Sequence, residues 1–317
     1  MTKKHDIIWL ESVDSTNEEA RRRISDIDNL SVLSALEQTE GRGQRGNTWT
    51  SKAGENLMFS IVLKLSSDAS GRVHLEARNQ FALNEIAALS VVDFLRSHEI
   101  QAQIKWPNDI YVGSRKICGI LIENSLRGKH VSSSIIGIGL NINQRNFDVN
   151  LPNPTSMVLC LTDFECHSVS PECKSISSQC HSERIEDIDE AAVANAKESF
   201  DIRTCLEEFM DIFTTYHDSF LTSACDLSPL RQLYLNHLWR LDLPADFLDY
   251  TSLPSGHLDA AMNICTDFDG TSAAEVRPRR FHGIIRGLSD IGNLMVEDIS
   301  TGHIREFGFK EIGYILE

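Results

Sequence analysis

Residues 115–143 read RKICGILIENSLRGKHVSSSIIGIGLNIN. Two apolar stretches, RKICGILIEN (115–124) and SSIIGIGLNIN (133–143), flank the polar turn RGKH, and this predicts the two central strands of an antiparallel hairpin. Upstream, LMFSIVLKL (57–65) places Leu57, Phe59, Ile61, Leu63 and Leu65 on one face, the period of two expected of a sheet covered on one side. Between these strands, residues 76–97 carry Phe81, Ile86, Leu89, Val92 and Leu95 on a helical stripe long enough to cover that sheet. IKWPND (104–109) and YVG (111–113) lead into the hairpin, while IIWL (7–10) and SVLSAL (31–36) read as further strands. Ser15 and Glu18 fit a capping box that opens a helix through EEARRRI. Strand, loop, strand, helix and hairpin in this order imply an α+β layer with a mixed, largely antiparallel sheet, not a doubly wound parallel one.

Beyond the hairpin the character of the chain changes. Residues 1–130 hold 17 basic and 17 acidic side chains, whereas 131–317 hold 13 and 29, which accounts for the whole net charge of −16. Residues 161–199 are polar and poor in aromatics, and read as a surface insertion. Helical periodicity returns at 201–221 and 229–238, residues 242–278 look loop-like, and three short strands follow at 281–309. The expected organisation is a catalytic domain over 1–240, a linker or loop expansion over 241–278, and a small C-terminal β-barrel over 279–317.

Composition excludes several classes. At 317 residues, 41% hydrophobic and 24% charged, the chain is neither disordered nor fibrous. The acidity argues against a broad nucleic-acid footprint. The N-terminus has no apolar run of signal-peptide or membrane-span length, so a cytoplasmic location is expected. Eight cysteines are too sparse for a disulfide scaffold. Cys160, Cys166, His167, Cys173, Cys180 and His181 fall within 22 residues, but without the close cysteine pairing of structural zinc sites; a polar insertion with incidental thiols is expected.

Four segments concentrate anion-handling groups. Ser15-Thr16-Asn17 stands at a helix N-terminus, where free amides and the helix dipole favour a carboxylate or phosphate, although such triplets also serve merely as caps. In residues 41–49, Gly41, Gly43 and Gly46 permit a tight path, Arg42 and Arg45 supply charge, and Trp49 could stack on a planar ring; a surface turn with a core Trp is the alternative. Lys105-Trp106-Pro107-Asn108-Asp109 would set polar groups at a sheet edge, unless it is only a salt-bridged turn. Lys116 precedes Gly119, and Gly137, Gly139 and Asn141 interrupt the second hairpin strand. Glycines inside apolar strands fit a ligand lying against the backbone, or else a bulge or tight packing.

Taken together, DSTN (14–17), Q-x-x-GRGQRGNTW (38–49), KWPNDI (105–110), KICGILIE (116–123) and GIGLNIN (137–143) resemble the biotin protein ligases, also called biotin–acetyl-CoA-carboxylase ligases. The resemblance covers roughly residues 5–160, continues through 201–238 and resumes at 281–312. It implies a class II synthetase-like fold and a reaction in two steps. Biotin and ATP give biotinyl-5′-AMP, with Mg²⁺ held by the phosphates near Asp109, and biotin then passes to one lysine of a biotin carboxyl carrier domain. It assigns Ser15, Thr16 and Gln38 to the biotin head, with Gly119 and Gly137 beside them. Gly41, Arg42 and Gly43 close over the biotin chain and the acyl phosphate, with Arg42 also on the ATP side. Asn17, Gln44, Arg45, Gly46, Asn47, Trp49, Asn108 and Asn141 fall on the adenylate side. Lys116 contacts the biotin carboxylate and the α-phosphate, Asp109 orients the incoming lysine or the metal and phosphate, and Lys105 assists with the phosphates. Gln44 and Asn47 depart from the family's more arginine-rich loops. The motif begins at residue 14, so no repressor domain is expected. Lipoate or octanoate attachment and a non-catalytic biotin sensor are the alternatives, and either a monomer or a homodimer is compatible.

Overall fold

The hairpin forms as β6 (Arg115–Arg127) and β7 (His130–Leu140), with Gly119 opposite Gly139 and Leu121 opposite Gly137. The structure, a computed structural model, describes residues 5–65, 75–168, 199–221, 226–251, 253 and 278–315. The hairpin sits inside a seven-stranded sheet with β1 (Ile7–Val13), β2 (Val32–Gln38), β3 (Leu57–Lys64), β4 (Gln103–Lys105) and β5 (Asp109–Val112), in the order β1-β2-β3-β7-β6-β5-β4. Only β1 and β2 pair in parallel; every other neighbour is antiparallel.

Strand β3 is buried on both faces, not on one as its alternation suggested. Its Phe59, Ile61 and Leu63 face α2 (Phe81–Ser97) and α4 (Ile202–Leu221) in the main core, while Val62 joins Ala20, Ile27, Leu33 and Ile135 in a smaller core under α1 (Thr16–Arg23). Phe59 and Phe94 both meet Phe209 of α4 edge-on, at centroid distances of 5.2 and 6.2 Å. Each such buried ring contributes roughly 1.5–3 kcal/mol. Helix α5 (Ser228–Asn236) packs beside α2 through Leu230 and Tyr234. Helix α3 (Met157–Ser168) runs into the stretch read as an insertion, of which 169–198 lies outside the described residues, as do Cys173, Cys180 and His181.

The C-terminal strands do not close into a barrel. Strands β8 (Pro244–Asp249), β9 (Arg279–Leu288), β10 (Leu294–Asp298), β11 (His303–Phe307) and β12 (Ile312–Tyr314) form an open sheet in the order β11-β10-β9-β8-β12. Closure would need β11 to meet β12, yet these are the two edges. The physical reason is what covers the apolar face: Phe247, Phe281, Ile285, Leu294, Val296, Phe307 and Ile312 belong to the same core as the seven-stranded sheet. A sheet whose inner face is already packed on a neighbour gains nothing by curling on itself. Strand β8 arises within the loop-like stretch; Pro244 is its first residue, where a missing N–H is tolerated.

Candidate functional site

The register of the large sheet lays out the site. One row across it runs Lys105, Asp109, Gly119, Gly139 and Met58, and a second passes through Leu121, Gly137 and Ser60. Residues 137 and 139 share a face by the two-residue period, so the glycines leave a bare strip of backbone. Two side chains lie directly on that strip. A Cβ at position 137 would sit 2.3 Å from Asn17 Oδ1, and one at 139 would sit 2.4 Å from Trp49 Cε2. Neither position can carry a side chain unless its neighbour moves.

One wall is the start of α1. Ser15, Thr16 and Asn17 are all buried. The capping box does not form: Ser15 makes no side-chain cap, and the Glu18 carboxylate pairs instead with Arg21 and Arg42. Gln38 Oε1 accepts from Thr16 N at 2.8 Å and from Thr16 Oγ1 at 3.2 Å. Ser60 Oγ lies 2.6 Å from Asn17 Oδ1, to which it donates, and 2.8 Å from Thr16 Oγ1. Asn17 Nδ2 in turn donates to Glu123 Oε2 at 2.9 Å and to Leu121 O at 3.3 Å. These bonds fix a polar wall of defined donor and acceptor positions.

The glycine loop forms the cover. Arg42 bridges Thr48, Gly43 N donates to Asn47 O at 2.7 Å, and Trp49 N donates to Gly41 O at 2.8 Å. The two arms approach so closely that a Cβ on Gly41 would fall 2.3 Å from Trp49 O. The loop thereby lowers the indole onto Gly119 and Gly139, and Trp49 Nε1 is buried with no partner among the described residues. A buried unpaired donor is costly, and a ligand acceptor would satisfy it.

The cation comes from β6. Between β5 and β6 the register slips by one residue, with Ile110 opposite Cys118 but Tyr111 opposite Lys116. A bulge of this kind re-aims the neighbouring side chain. Lys116 Nζ reaches over Gly119, 2.7 Å from Asp109 Oδ1 and 5.8 Å from the centroid of the Trp49 ring. Burial works against the Lys116 ammonium, but the Asp109 carboxylate outweighs it and holds the lysine pKa above its ordinary value, so the charge persists at neutral pH. Its backbone is anchored by Lys116 N to Asn153 O (2.7 Å) and Thr155 N to Lys116 O (2.9 Å). Such a fixed cation beside bare backbone can stabilise negative charge that develops on a bound group.

Twelve of the expected residues line one pocket: Ser15, Thr16, Asn17, Gln38, Arg42, Gly43, Gln44, Trp49, Asn108, Lys116, Gly119 and Gly137. Asp109 adjoins it through Lys116, and Lys105 lies one strand further out, donating to Tyr111 Oη at 2.9 Å. Gly41, Gly46 and Asn47 shape the loop without lining the pocket. Asn141 is buried behind it, donating to Thr155 O at 2.9 Å, and the Arg45 side chain lies outside the described atoms. Asn108 also ties the 105–109 turn to β6, donating to Ile120 O at 2.6 Å. Gly139, singled out with Gly137 among the strand glycines, lines the pocket as well, whereas Ser60, Glu123 and the pocket-lining Ile120, Leu121 and Ile138 carried no expected role. Ser60 carries no signal without the strand register. Among the described residues no cluster of His, Cys, Asp or Glu is arranged to hold a metal ion, and no helix is long and apolar enough to cross a membrane.

Comparison with known proteins places this geometry. Residues 9–141 match the biotin/lipoate A/B protein ligase family. Over 118 residues the chain is 36% identical to the bifunctional ligase/repressor BirA of Bacillus spizizenii, covering 37% of this chain and 34% of that protein. It is 34% identical over 133 residues to the biotin–[acetyl-CoA-carboxylase] ligase of Paracoccus denitrificans, covering 42% of this chain and 53% of that one. The chain thus spans about a third to a half of these relatives' own length. In structure it superposes on the Aquifex aeolicus biotin protein ligase in complex with biotin and ATP with a TM-score of 0.63, at 20% identity, over 97% of both chains. The Leishmania major biotin protein ligase in complex with biotin gives a TM-score of 0.51 at 19% identity over 96% of this chain and 98% of that chain.

Proposed function

We propose that this chain, whose architecture is that of a biotin protein ligase and whose residues 9–141 fit the biotin/lipoate A/B ligase family, activates biotin with ATP and transfers it to a lysine of a carrier domain. The observation that carries the reading is the Lys116–Asp109 pair, 2.7 Å apart, at the side of a pocket with a polar wall, a bare glycine floor and a tryptophan cover. The wall formed by Ser15, Thr16, Asn17 and Gln38 suits the urea-like head of biotin, and the glycine strip suits its aliphatic tail.

In the first step a biotin carboxylate oxygen attacks the α-phosphorus of ATP. A new O–P bond forms, the bond to the bridging oxygen breaks, and pyrophosphate leaves with the electron pair. Lys116 would hold the carboxylate and stabilise charge on the α-phosphate, with Arg42, Gln44 and Trp49 on the nucleotide side. In the second step the neutral amine of the carrier lysine attacks the acyl carbon; a C–N bond forms, the nitrogen gives up one proton to solvent, the C–O bond to phosphate breaks, and AMP departs. Asp109 would orient that amine, and the docked geometry supplies the entropic advantage. Mg²⁺ would neutralise phosphate charge. Asp109, already bonded to Lys116, is the carboxylate that would support it, so the ion would be held chiefly by phosphate oxygens.

The acceptor is proposed to be the biotin carboxyl carrier domain of a biotin-dependent carboxylase such as acetyl-CoA carboxylase, and the setting the cytoplasm. Incubating the protein with ATP, Mg²⁺ and either labelled biotin or labelled lipoate tests the reading. Pyrophosphate release with biotin, followed by label on an added carrier domain, is expected. Adenylate formation with lipoate alone would transfer the assignment to lipoate attachment, and no pyrophosphate with either acid would leave a binding module.

A further inference from the structure

Glu18 stands in the first turn of α1, one residue past the pocket-lining Asn17, and Arg42 Nη1 of the glycine loop donates to its Oε1. The carboxylate is also held from its own helix. Arg21 Nη1 donates to both of its oxygens, at 2.8 and 2.7 Å. Arg21 Nη2 reaches across to Glu123 Oε1 on β6 at 2.6 Å, and Glu123 Oε2 accepts from Asn17 Nδ2 at 2.9 Å. Helix and sheet therefore fix the place of the Glu18 carboxylate that Arg42 meets. Glu19, the next residue, provides a contrast: it pairs with Arg22 and Arg23 of the same helix, at 2.6 and 2.5 Å.

Arg42 lines the pocket from a loop whose arms cross closely, through the bridge to Thr48 and the bond from Gly43 N to Asn47 O. Its side chain is 54% exposed, that of Glu18 only 19%. A long, half-exposed arginine has many rotamers to choose among, whereas a carboxylate anchored on a helix has one place. Binding Nη1 takes one corner of the planar guanidinium and directs the rest of its fork. An ion pair with so exposed a partner adds little to stability, so the contribution of Glu18 would lie in orientation.

Resting on the ligase reading above, we propose that Glu18 is a positioning residue for Arg42: it fastens the guanidinium of the covering loop to α1, so that the fork is already aimed when the phosphates of ATP arrive. Arg42 is then the group that touches the nucleotide, and Glu18 acts through it.

The test uses the full chain. Pyrophosphate release and calorimetric binding of a non-hydrolysable ATP analogue and of biotin are compared for the wild type, Glu18→Ala, Glu19→Ala, Arg42→Ala and the Glu18→Ala/Arg42→Ala double variant. Glu18→Ala is expected to weaken analogue binding and kcat/KM for ATP about tenfold, within what a misplaced binding group costs. Biotin affinity without nucleotide should stay within about twofold of wild type, because the wall of Ser15, Thr16 and Gln38 is untouched. Glu19→Ala removes the same charge from the same helical turn and is expected within about twofold of wild type for both ligands. The double variant should lose no more than Arg42→Ala alone. If Glu18→Ala fails to fold, the isosteric Glu18→Gln takes its place, with loss expected in the same direction. Equal losses toward ATP and biotin, a Glu19 variant as impaired as the Glu18 one, losses that multiply in the double variant, or a Glu18 variant that binds ATP as well as wild type or better would each overturn the inference. A wild type that releases no pyrophosphate with biotin and ATP overturns the ligase reading itself, a result distinct from an active enzyme indifferent to position 18.

Discussion

In the seven-stranded sheet Ser60 and the strand glycines face a pocket; in the five-stranded sheet the buried carboxylates of Asp249 and Asp298 face partners within the protein. Asp249 and Asp298, each 2% exposed, sit on β8 and β10. Asp298 accepts from Arg279 Nη2 at 2.9 Å and from Ser300 Oγ at 2.5 Å. Asp249 lies 2.8 Å from Arg305 Nη1 and 2.6 Å from Thr251 Oγ1, with Arg279 Nε at 3.7 Å. These carboxylates have their partners inside the protein. In the large sheet, by contrast, the Trp49 indole N–H is buried without one, and the glycines at 119, 137 and 139 leave room where a core would have side chains. An open donor beside bare backbone fits a surface that meets a ligand; carboxylates paired within the protein fit one that holds the fold. The two regions should therefore fail differently when altered.

The largest effect is expected at the pocket. Lys116→Ala should slow pyrophosphate release by about 10²–10³-fold, the magnitude of removing one group that stabilises transition-state charge. The melting temperature should move by only about 2 °C, since Lys116 is at the pocket side and about a third exposed (33%). Stopped-flow release and circular dichroism melting check the pair of outcomes. A large drop in melting temperature would mean that the ion pair to Asp109 is holding the fold, and the contrast between the sheets would weaken.

The reverse pattern is expected for Asp298→Ala. Removing this carboxylate leaves Arg279 and Ser300 without their acceptor, which costs about 1.5–3 kcal/mol of stability. Chemical denaturation should show that loss, while kcat at a temperature where the variant is folded should stay within about twofold of wild type, a change under roughly 0.5 kcal/mol.

Gly139→Ala comes next and tests the floor of the pocket. The added methyl meets Trp49 Cε2 at 2.4 Å, so the indole and its loop must shift. Overpacking of this kind costs about 1–3 kcal/mol. The cost should fall on ligand affinity, because the loop can lift away, and tryptophan fluorescence should report the displaced ring. An unchanged affinity for both biotin and ATP would show that the covered strip lies outside the ligand's path.

How far these two regions could be read from sequence differs for a physical reason. The hairpin, β3 and α2 follow from local periodicity, and the glycine loop, Lys116 and Asp109 follow from residue types whose chemistry is visible one at a time. Ser60 could not be found this way. It sits in an apolar strand and earns its place only because β3 pairs with β7 in a register that sets it opposite Gly137, beside Asn17. The capping box failed because Arg42, from a distant loop, competes for Glu18. The barrel failed for the same class of reason: the short terminal strands announce an antiparallel meander, but whether its ends meet depends on the neighbour that buries Phe247, Phe281 and Phe307. Asn141, expected on the adenylate side, donates to Thr155 O from a later segment, a bond its motif does not announce. Each difference traces to a long-range partner.

Acid should have the smallest effect of the four and draw on both regions, since the bond from Arg22 holds the Asp14 carboxyl beside the large sheet well below its ordinary value. At Asp298 the Ser300 hydrogen bond, with Arg279 behind it, lowers the carboxyl pKa below its ordinary 3.8. At Asp249 burial pulls the other way, but the bonds from Arg305 and Thr251 prevail and the pKa is also lowered. A carboxyl whose pKa is lower folded than unfolded stabilises the fold above the unfolded value, and that contribution is lost as pH falls through the folded one. Stability should accordingly decline below about pH 4, with a slope of at most roughly 1.4 kcal/mol per pH unit for each proton bound in excess by the unfolded chain. Urea unfolding followed between pH 3 and 6 measures that slope, and Asp298→Asn should flatten it. Lys116 contributes none of it, because its pKa is raised above the ordinary lysine value of 10.5 and it remains charged throughout the range. Acid sensitivity that survives Asp298→Asn undiminished would move its origin out of this pair and away from the second sheet's internal bonding.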